Sequence, residues 1–274
     1  MSDNNFTSST IETNPLKFFS GRGENYEKYR PSHPNAAIDK ILTGLESNTQ
    51  LVAADIGAGT GIGSRLLADR GIRVLAIEPN ADMKSSATPH ELVEFLTGTA
   101  EEIPLPSASL DLVTSFQAFH WFDFINSLQE FRRILKPNGR LALIWTLWDD
   151  RDVVSKHYCR LISEASKEYQ RKARSQIGLK TLLKKLRYQM FWRGLWLPYF
   201  KNLQLHWFDS QQELDLTGLI GLAQSQGFIP QESKQLEQLI SKLSIFHSRF
   251  CNKCDRVRLA YRTRLYLATS IKLP

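Results

Sequence analysis

Three stretches of this chain combine residue types and spacings that can do chemistry. Asp55-Ile-Gly57-Ala-Gly59-Thr-Gly61-Ile-Gly63 sets glycines directly behind a carboxylate, and glycines let a backbone turn sharply and let a ligand approach without Cβ interference. Glu78 follows 21 residues after Gly57. From that spacing a carboxylate at a strand end can hydrogen-bond both hydroxyls of a ribose. Phe116 to Asp123 reads FQAFHWFD, four aromatics and one histidine. His120 can act there as a base on a hydroxyl or amine, touch substrate or cofactor, or pack as an imidazole bonded to a backbone carbonyl. A metal role needs a ligand set that its neighbours do not offer, so no metal is expected.

The elements that must position these residues are legible as apolar runs alternating with helical patterns. LVAADI (51–56), IRVLAIE (72–78), VEFLTG (93–98), LDLVTSF (110–116) and GRLALIWTL (139–147) read as strands. GSRLLADRG and FINSLQEFRRILKPNG read as helices, the latter with Lys136 in its last turn. Such alternation predicts a parallel sheet covered on both faces. After Trp148 the rhythm breaks. Residues 151–196 read as helical and basic, with Leu179, Leu182, Leu183, Leu186 and Met190 on one stripe. LQLHWFD (203–209) reads as a strand, LTGLIGLAQSQG (216–227) as a helix closed by Gly227, SKQLEQLISKLSIFHSRF (233–250) as a helix and VRLAYRTRLYLAT (257–269) as a final strand.

The glycine loop does not carry the dinucleotide fingerprint, because the third glycine of GxGxxG would fall on Ile62 or Ser64. No Gly-Lys-Ser/Thr follows, which excludes a P-loop. Asp55 would repel a pyrophosphate and suits a cationic ligand. An adenosine-type ligand with positive charge and no phosphates fits all of this, and S-adenosylmethionine is such a molecule. In order, DIGAGTGIG, AIEPN, GTAEEIPLPSASLDLVTSFQAFHWFD and FRRILKPNGRLALIW resemble the successive motifs of class I S-adenosylmethionine-dependent methyltransferases. The chain is similar in particular to the small-molecule branch, methyltransferase type 11, that includes trans-aconitate methyltransferase-like proteins.

That resemblance covers residues 18–150 well and the C-terminal region more loosely. It implies a Rossmann-like α/β fold: a doubly wound, seven-stranded, mostly parallel sheet with an antiparallel last strand, plus a helical cap. It implies that Asp55, Gly57, Ala58 and Gly59 hold the methionine part of the cofactor and Glu78 its ribose. Pro79 and Asn80 would flank the adenine, Ala100 and Glu101 would approach its edge, and Gln117 joins the cofactor set. Thr99 stands where many such enzymes have Asp. FFSGRGENYEKYRPSHP resembles the branch's lid, so Tyr26, Tyr29 and Arg30 close over the cofactor or meet an acidic substrate; the alternative is a surface helix ended by Pro31. His120 and Trp121 would face a small-molecule acceptor, an acidic one methylated on oxygen.

Charge divides the chain. Residues 1–150 hold 13 Lys/Arg and 19 Asp/Glu, residues 151–274 hold 22 and 9, and the whole carries +7. The expected organisation is a disordered tail (1–17), a cofactor-binding core (18–150), a basic helical cap (151–202) and a C-terminal part completing the sheet (203–274). The basic stretch 171–193 reads as a solvated face and substrate cap, with a membrane-surface helix as the lesser alternative. Nucleic acid is not the expected partner: FQAF is not the Asn/Asp-Pro-Pro-aromatic motif of base amino-methylation. Two rival functions stay open, an RNA methyltransferase using the basic half and a cofactor-binding protein without turnover. Cys251-Asn-Lys-Cys254 is a single CxxC, which needs His157 or His206 as well as His247 to bind zinc; two ordinary thiols are the expectation. Three cysteines and no basic-then-apolar leader point to the cytoplasm, and a monomer or weak dimer is expected.

Overall fold

The structure, a computed structural model, describes residues 19–45, 50–176, 198–229 and 234–271, with backbone alone for 168–176. The strands are β1 (Val52–Ile56), β2 (Arg73–Ile77), β3 (Val93–Leu96), β4 (Leu110–Phe116), β5 (Leu135–Trp148), β6 (Phe200–Leu214) and β7 (Val257–Ser270). They form one sheet in the order β3-β2-β1-β4-β5-β7-β6. The first five run parallel, and β7 lies antiparallel to both β5 and β6. The order reverses between β1 and β4, and a crevice opens outside the carboxyl ends of the strands at such a switch point.

Helices cover both faces because the parallel strands are apolar on both sides. α5 (Phe124–Ile134) packs Leu128, Phe131 and Ile134 with Phe119 and Trp145 against one face. Phe119 is fully buried, and burying one such ring stabilises by roughly 1.5–3 kcal/mol. On the other face α2 (Asn35–Leu42) and α3 (Ile62–Ala68) set Ile38, Ile41 and Leu67 against Leu112, Ile144 and Leu265. A further apolar cluster joins α6 (Val153–Gln176), α7 (Leu216–Gln224) and α8 (Lys234–Phe250) to β7 through Tyr158, Leu222, Leu243 and Leu259. Two short helices, α1 (Gly23–Tyr29) and α4 (Ala81–Ser85), stand near the crevice.

Several boundaries differ from the sequence reading. α5 stops at Ile134, and Leu135 turns extended (φ −72°, ψ 136°) to pair with Leu110. Lys136 therefore lies in β5, directly after Leu135, instead of closing the helix, since Pro137 disfavours helical backbone for the residue before it. The third strand ends at Leu96, not at Gly98. The run 203–209 is the middle of a 15-residue strand, lengthened because β7 pairs with it from Phe200 to Leu214. α7 ends at Gln224 with Ser225 as its cap, three residues before Gly227. The stripe Leu179–Met190 lies outside the described residues, as does the 1–17 tail. Among the described residues no helix is long and apolar enough to cross a membrane.

Candidate functional site

β1 ends at Ile56 and the chain turns at once through Gly57, whose φ of +69° favours glycine. A Cβ there would lie 2.6 Å from Ala118 Cβ and 3.0 Å from Phe122 Cζ. The Gly57 and Ala58 N–H groups donate to the Ile77 carbonyl at 2.9 and 3.1 Å, tying the loop to the end of β2. Gly63 brings α3 against Phe116, whose ring would be 2.2 Å from any Cβ. These close approaches place the loop beside the end of β4.

Glu78 follows β2 and is buried. Its Oε2 accepts from Gly59 N–H at 2.8 Å and its Oε1 from Asn80 N–H at 2.8 Å. Each carboxylate oxygen has two acceptor sites, so one on each is left for a ligand hydroxyl. Burial pushes the Glu78 carboxyl above the usual carboxylate range, against the two N–H groups, which lower it. Asn80 caps α4 by accepting from Asp82 and Met83 N–H, and its amide donates to Ser20 Oγ at 3.2 Å.

These residues border a cavity of about 330 Å³ at the carboxyl ends of β1, β2 and β4. Gly57, Gly59, Glu78, Pro79 and Asn80 line it, together with Ala100, Glu101, Gln117, Trp121 and Tyr26. Phe19 stands edge-on to both Tyr26 and Trp121, with ring centroids 5.7 and 6.2 Å apart. Glu101 accepts from Asp123 N–H at 2.7 Å, and Asp123 caps α5. Gln117 has φ +59°, and its side chain pairs with the Thr146 backbone through both amide atoms, at 2.6 and 3.1 Å.

Other expected site residues stand back from the cavity wall. Asp55 is fully buried beneath the loop, accepting from Ser64 Oγ at 2.7 Å and Thr114 Oγ1 at 3.1 Å. Desolvation pushes its carboxyl up to about 7, with Ser64 and Thr114 pulling down and Glu78 adding upward. Ala58 lies in the loop next to two wall glycines. Tyr29 packs against α7, where a Cβ at Gly221 would be 2.2 Å from its ring. The Arg30 guanidinium lies 4.8 Å from the Tyr26 ring centroid and donates to Ser225 O at 3.2 Å. His120 is exposed, its ring 5.0 Å from that of Trp121, and its Nδ1 accepts from Trp145 Nε1–H at 3.3 Å.

Sequence reasoning missed several residues. Phe19 and Met83 also line the cavity, whereas Ala118 and Phe122, which line it too, belong to the FQAFHWFD stretch already singled out. Arg22 donates to the carbonyls of Gln224, Gln226 and Ile229, all within 2.9 Å, and so fastens the N-terminal segment to the carboxyl end of α7. Those partners are more than 200 residues away, so no local signal marks Arg22. Near Cys251 the residues that converge are His247 and Asp255; His157 instead packs on the rings of Phe246 and Phe250, and Cys254 is exposed.

Comparison with known proteins agrees with this geometry. Residues 54–143 match the family described as a methyltransferase domain. An uncharacterized methyltransferase of Mycobacterium tuberculosis is 41% identical over 139 residues, 50% of this chain and 54% of that one. A malonyl-[acyl-carrier protein] O-methyltransferase of Enterobacter lignolyticus is 31% identical over 126 residues, covering 45% and 50%. The chain thus spans about half the length of these curated relatives. A solved methyltransferase structure from Anaeromyxobacter dehalogenans superposes with a TM-score of 0.60 at 22% identity, over 90% of this chain and 99% of that one. Fold, loop and matched segment agree: residues 54–143 match a methyltransferase domain, set in the Rossmann-like fold and behind the glycine loop expected of class I S-adenosylmethionine-dependent methyltransferases.

Proposed function

We propose that the protein transfers a methyl group from S-adenosylmethionine to an oxygen of a small acidic acceptor, by in-line displacement. The observation that carries this reading is the cavity at the ends of β1, β2 and β4, lined by buried Glu78 and by the rings of Trp121, Tyr26 and Phe19. The cofactor supplies an activated methyl on a sulfonium. Glu78 holds the ribose hydroxyls through its remaining acceptor sites, and the glycine loop admits the methionine part.

The aromatic rings that line the cavity exclude water. When a carboxylate oxygen bonds to the methyl carbon, the carbon–sulfur bond breaks and opposite charges cancel. A dry, weakly polar site speeds a charge-cancelling displacement, and alignment supplies much of the remainder. No proton needs to leave a carboxylate. This agrees with the contact His120 makes, its Nδ1 accepting from Trp145 Nε1–H at 3.3 Å. We assign His120 to orienting the acceptor. The Enterobacter relative, named for O-methylation of a malonyl group, supports oxygen as the acceptor atom.

The test is incubation with methyl-labelled cofactor and a metabolite extract, followed by product identification. Gly57→Arg, which fills the loop, is the control and should abolish labelling. S-adenosylhomocysteine should raise the melting temperature of the unmodified protein. If neither cofactor nor its demethylated product shifts that temperature, the reading is wrong.

A further inference from the structure

Beyond the cavity, the register of the antiparallel strands sets a row of side chains on one face. Arg264 of β7 lies opposite Trp145 of β5 and Trp207 of β6, and directly opposed residues on neighbouring strands share a face. The Arg264 guanidinium carbon sits 5.7 Å from the Trp145 ring centroid, 5.8 Å from Trp207 and 5.7 Å from Tyr266. All three fall within the reach of a cation–π contact. Next to them Leu147, Leu205 and Trp207 are 41, 47 and 42% exposed.

The cations around this patch differ in their partners. Asp209 pairs with Arg151 at 3.0 Å and lies 3.8 Å from Arg262 Nε, and Asp152 pairs with Arg258 at 3.4 Å. Arg262 stacks over the Trp207 ring at 4.3 Å. Its Nε, like that of Arg264, has no hydrogen-bond partner among the described residues, but only Arg262 has a carboxylate beside it. Arg264 has neither a carboxylate nor a hydrogen-bond acceptor among the described residues, and its Nε is buried without a partner. The aromatic walls also fix the guanidinium in place, so less rotamer entropy is lost when it binds an anion. The row leads to the cavity: Trp145 donates to His120, which packs on Trp121 in the cavity wall.

We propose that Arg264 is a specificity-determining residue that binds a carboxylate of the acceptor remote from the methylated atom. Trp207, Leu147 and Leu205 cover the apolar chain that carries it. The acceptor is then an amphiphilic acid and not a small, fully polar one. This rests on the methyltransferase reading above. Any water-exposed guanidinium attracts anions; the exposed apolar residues around Arg264 are what select a carboxylate on a hydrocarbon chain.

Decanoate and decanol serve as probes, titrated against the S-adenosylhomocysteine-saturated protein with tryptophan fluorescence as readout. Decanoate should bind at least tenfold more tightly than decanol. Arg264→Gln should bring the two within threefold of each other, and Arg264→Lys should restore part of the preference. Melting temperature and binding of S-adenosylhomocysteine should be unchanged in both variants. Equal binding of decanoate and decanol by the unmodified protein, or an undiminished preference in Arg264→Gln, overturns the proposal. So does binding of inorganic phosphate as tight as that of decanoate, because the apolar wall would then contribute nothing. If S-adenosylhomocysteine itself fails to bind, the methyltransferase reading falls, and the same titrations on the protein alone still decide the role of Arg264.

Discussion

Glu78 and Asp55 stand at neighbouring strand ends and divide the work by depth. Glu78 reaches the cavity while two backbone N–H groups hold it, and Asp55 lies wholly beneath the loop. Glu78→Gln replaces one acceptor oxygen by a donor, so one of those N–H groups or one ribose hydroxyl loses its partner. Hydrogen bonds to charged groups are worth roughly 1.5–3 kcal/mol, which corresponds to a loss of about 10- to 100-fold in affinity for S-adenosylhomocysteine. Isothermal titration measures this directly, and an unchanged affinity would mean that the ribose is held elsewhere. Both carboxylates could be picked out from their places in the sequence motifs. Which of them touches the cavity could not, because the burial of Asp55 depends on Ser64 of α3 and Thr114 of β4 closing over it.

At the scale of elements, the N-terminal segment forms one wall of the site because other elements hold it there. Arg22 reaches carbonyls at the end of α7, Gly21 N–H donates to Asp82 at 2.8 Å, and α1 is joined to α3 by the Glu27–Arg65 ion pair. Tyr29 needs the bare surface of Gly221 to seat on α7. Gly221→Ala places a methyl inside that ring's position, and overpacking of this kind costs about 1–3 kcal/mol. The helix propensity gained from alanine offsets less than that. Urea denaturation should show the loss, together with weaker binding of S-adenosylhomocysteine as Tyr26 shifts. Stability equal to or above that of the unmodified protein would show that α1 moves aside at no cost. The sequence pattern marked Tyr26 and Tyr29 alike as lid residues. Tertiary packing separates them, with Tyr26 on the cavity and Tyr29 on the helix.

For the whole molecule, two buried titratable groups pull stability in opposite directions with pH. Burial holds His33 down to about 4, where it bonds Thr146 Oγ1 at 2.9 Å, and raises Asp55 to about 7. Between about 4 and 6.5 the unfolded chain binds a proton at His33 that the folded one refuses, so acid destabilises. From about 4 to 7 the folded protein keeps a proton on Asp55 that the unfolded chain releases, so acid stabilises. The two slopes oppose each other, and the unmodified protein should be nearly flat from these sites between pH 4.5 and 6. His33→Gln should leave stability that falls as pH rises through this range. Asp55→Asn should leave stability that rises. Chemical denaturation at several pH values reads both, and parallel profiles for the two variants would refute the assignment.

By itself the sequence determined the alternating strands and helices, the glycine turn after β1, the carboxylate after β2 and the aromatic cluster after β4. These are local signals, since apolar period, glycine content and motif spacing act within a few residues. The tertiary structure decided which of the motif residues reach the cavity. It also decided that Arg22 and Asn80 hold the N-terminal wall in place and that Arg264 stands among three aromatic rings with no carboxylate partner among the described residues. Those outcomes depend on strand register and on contacts between residues far apart in the chain, and no local pattern encodes them.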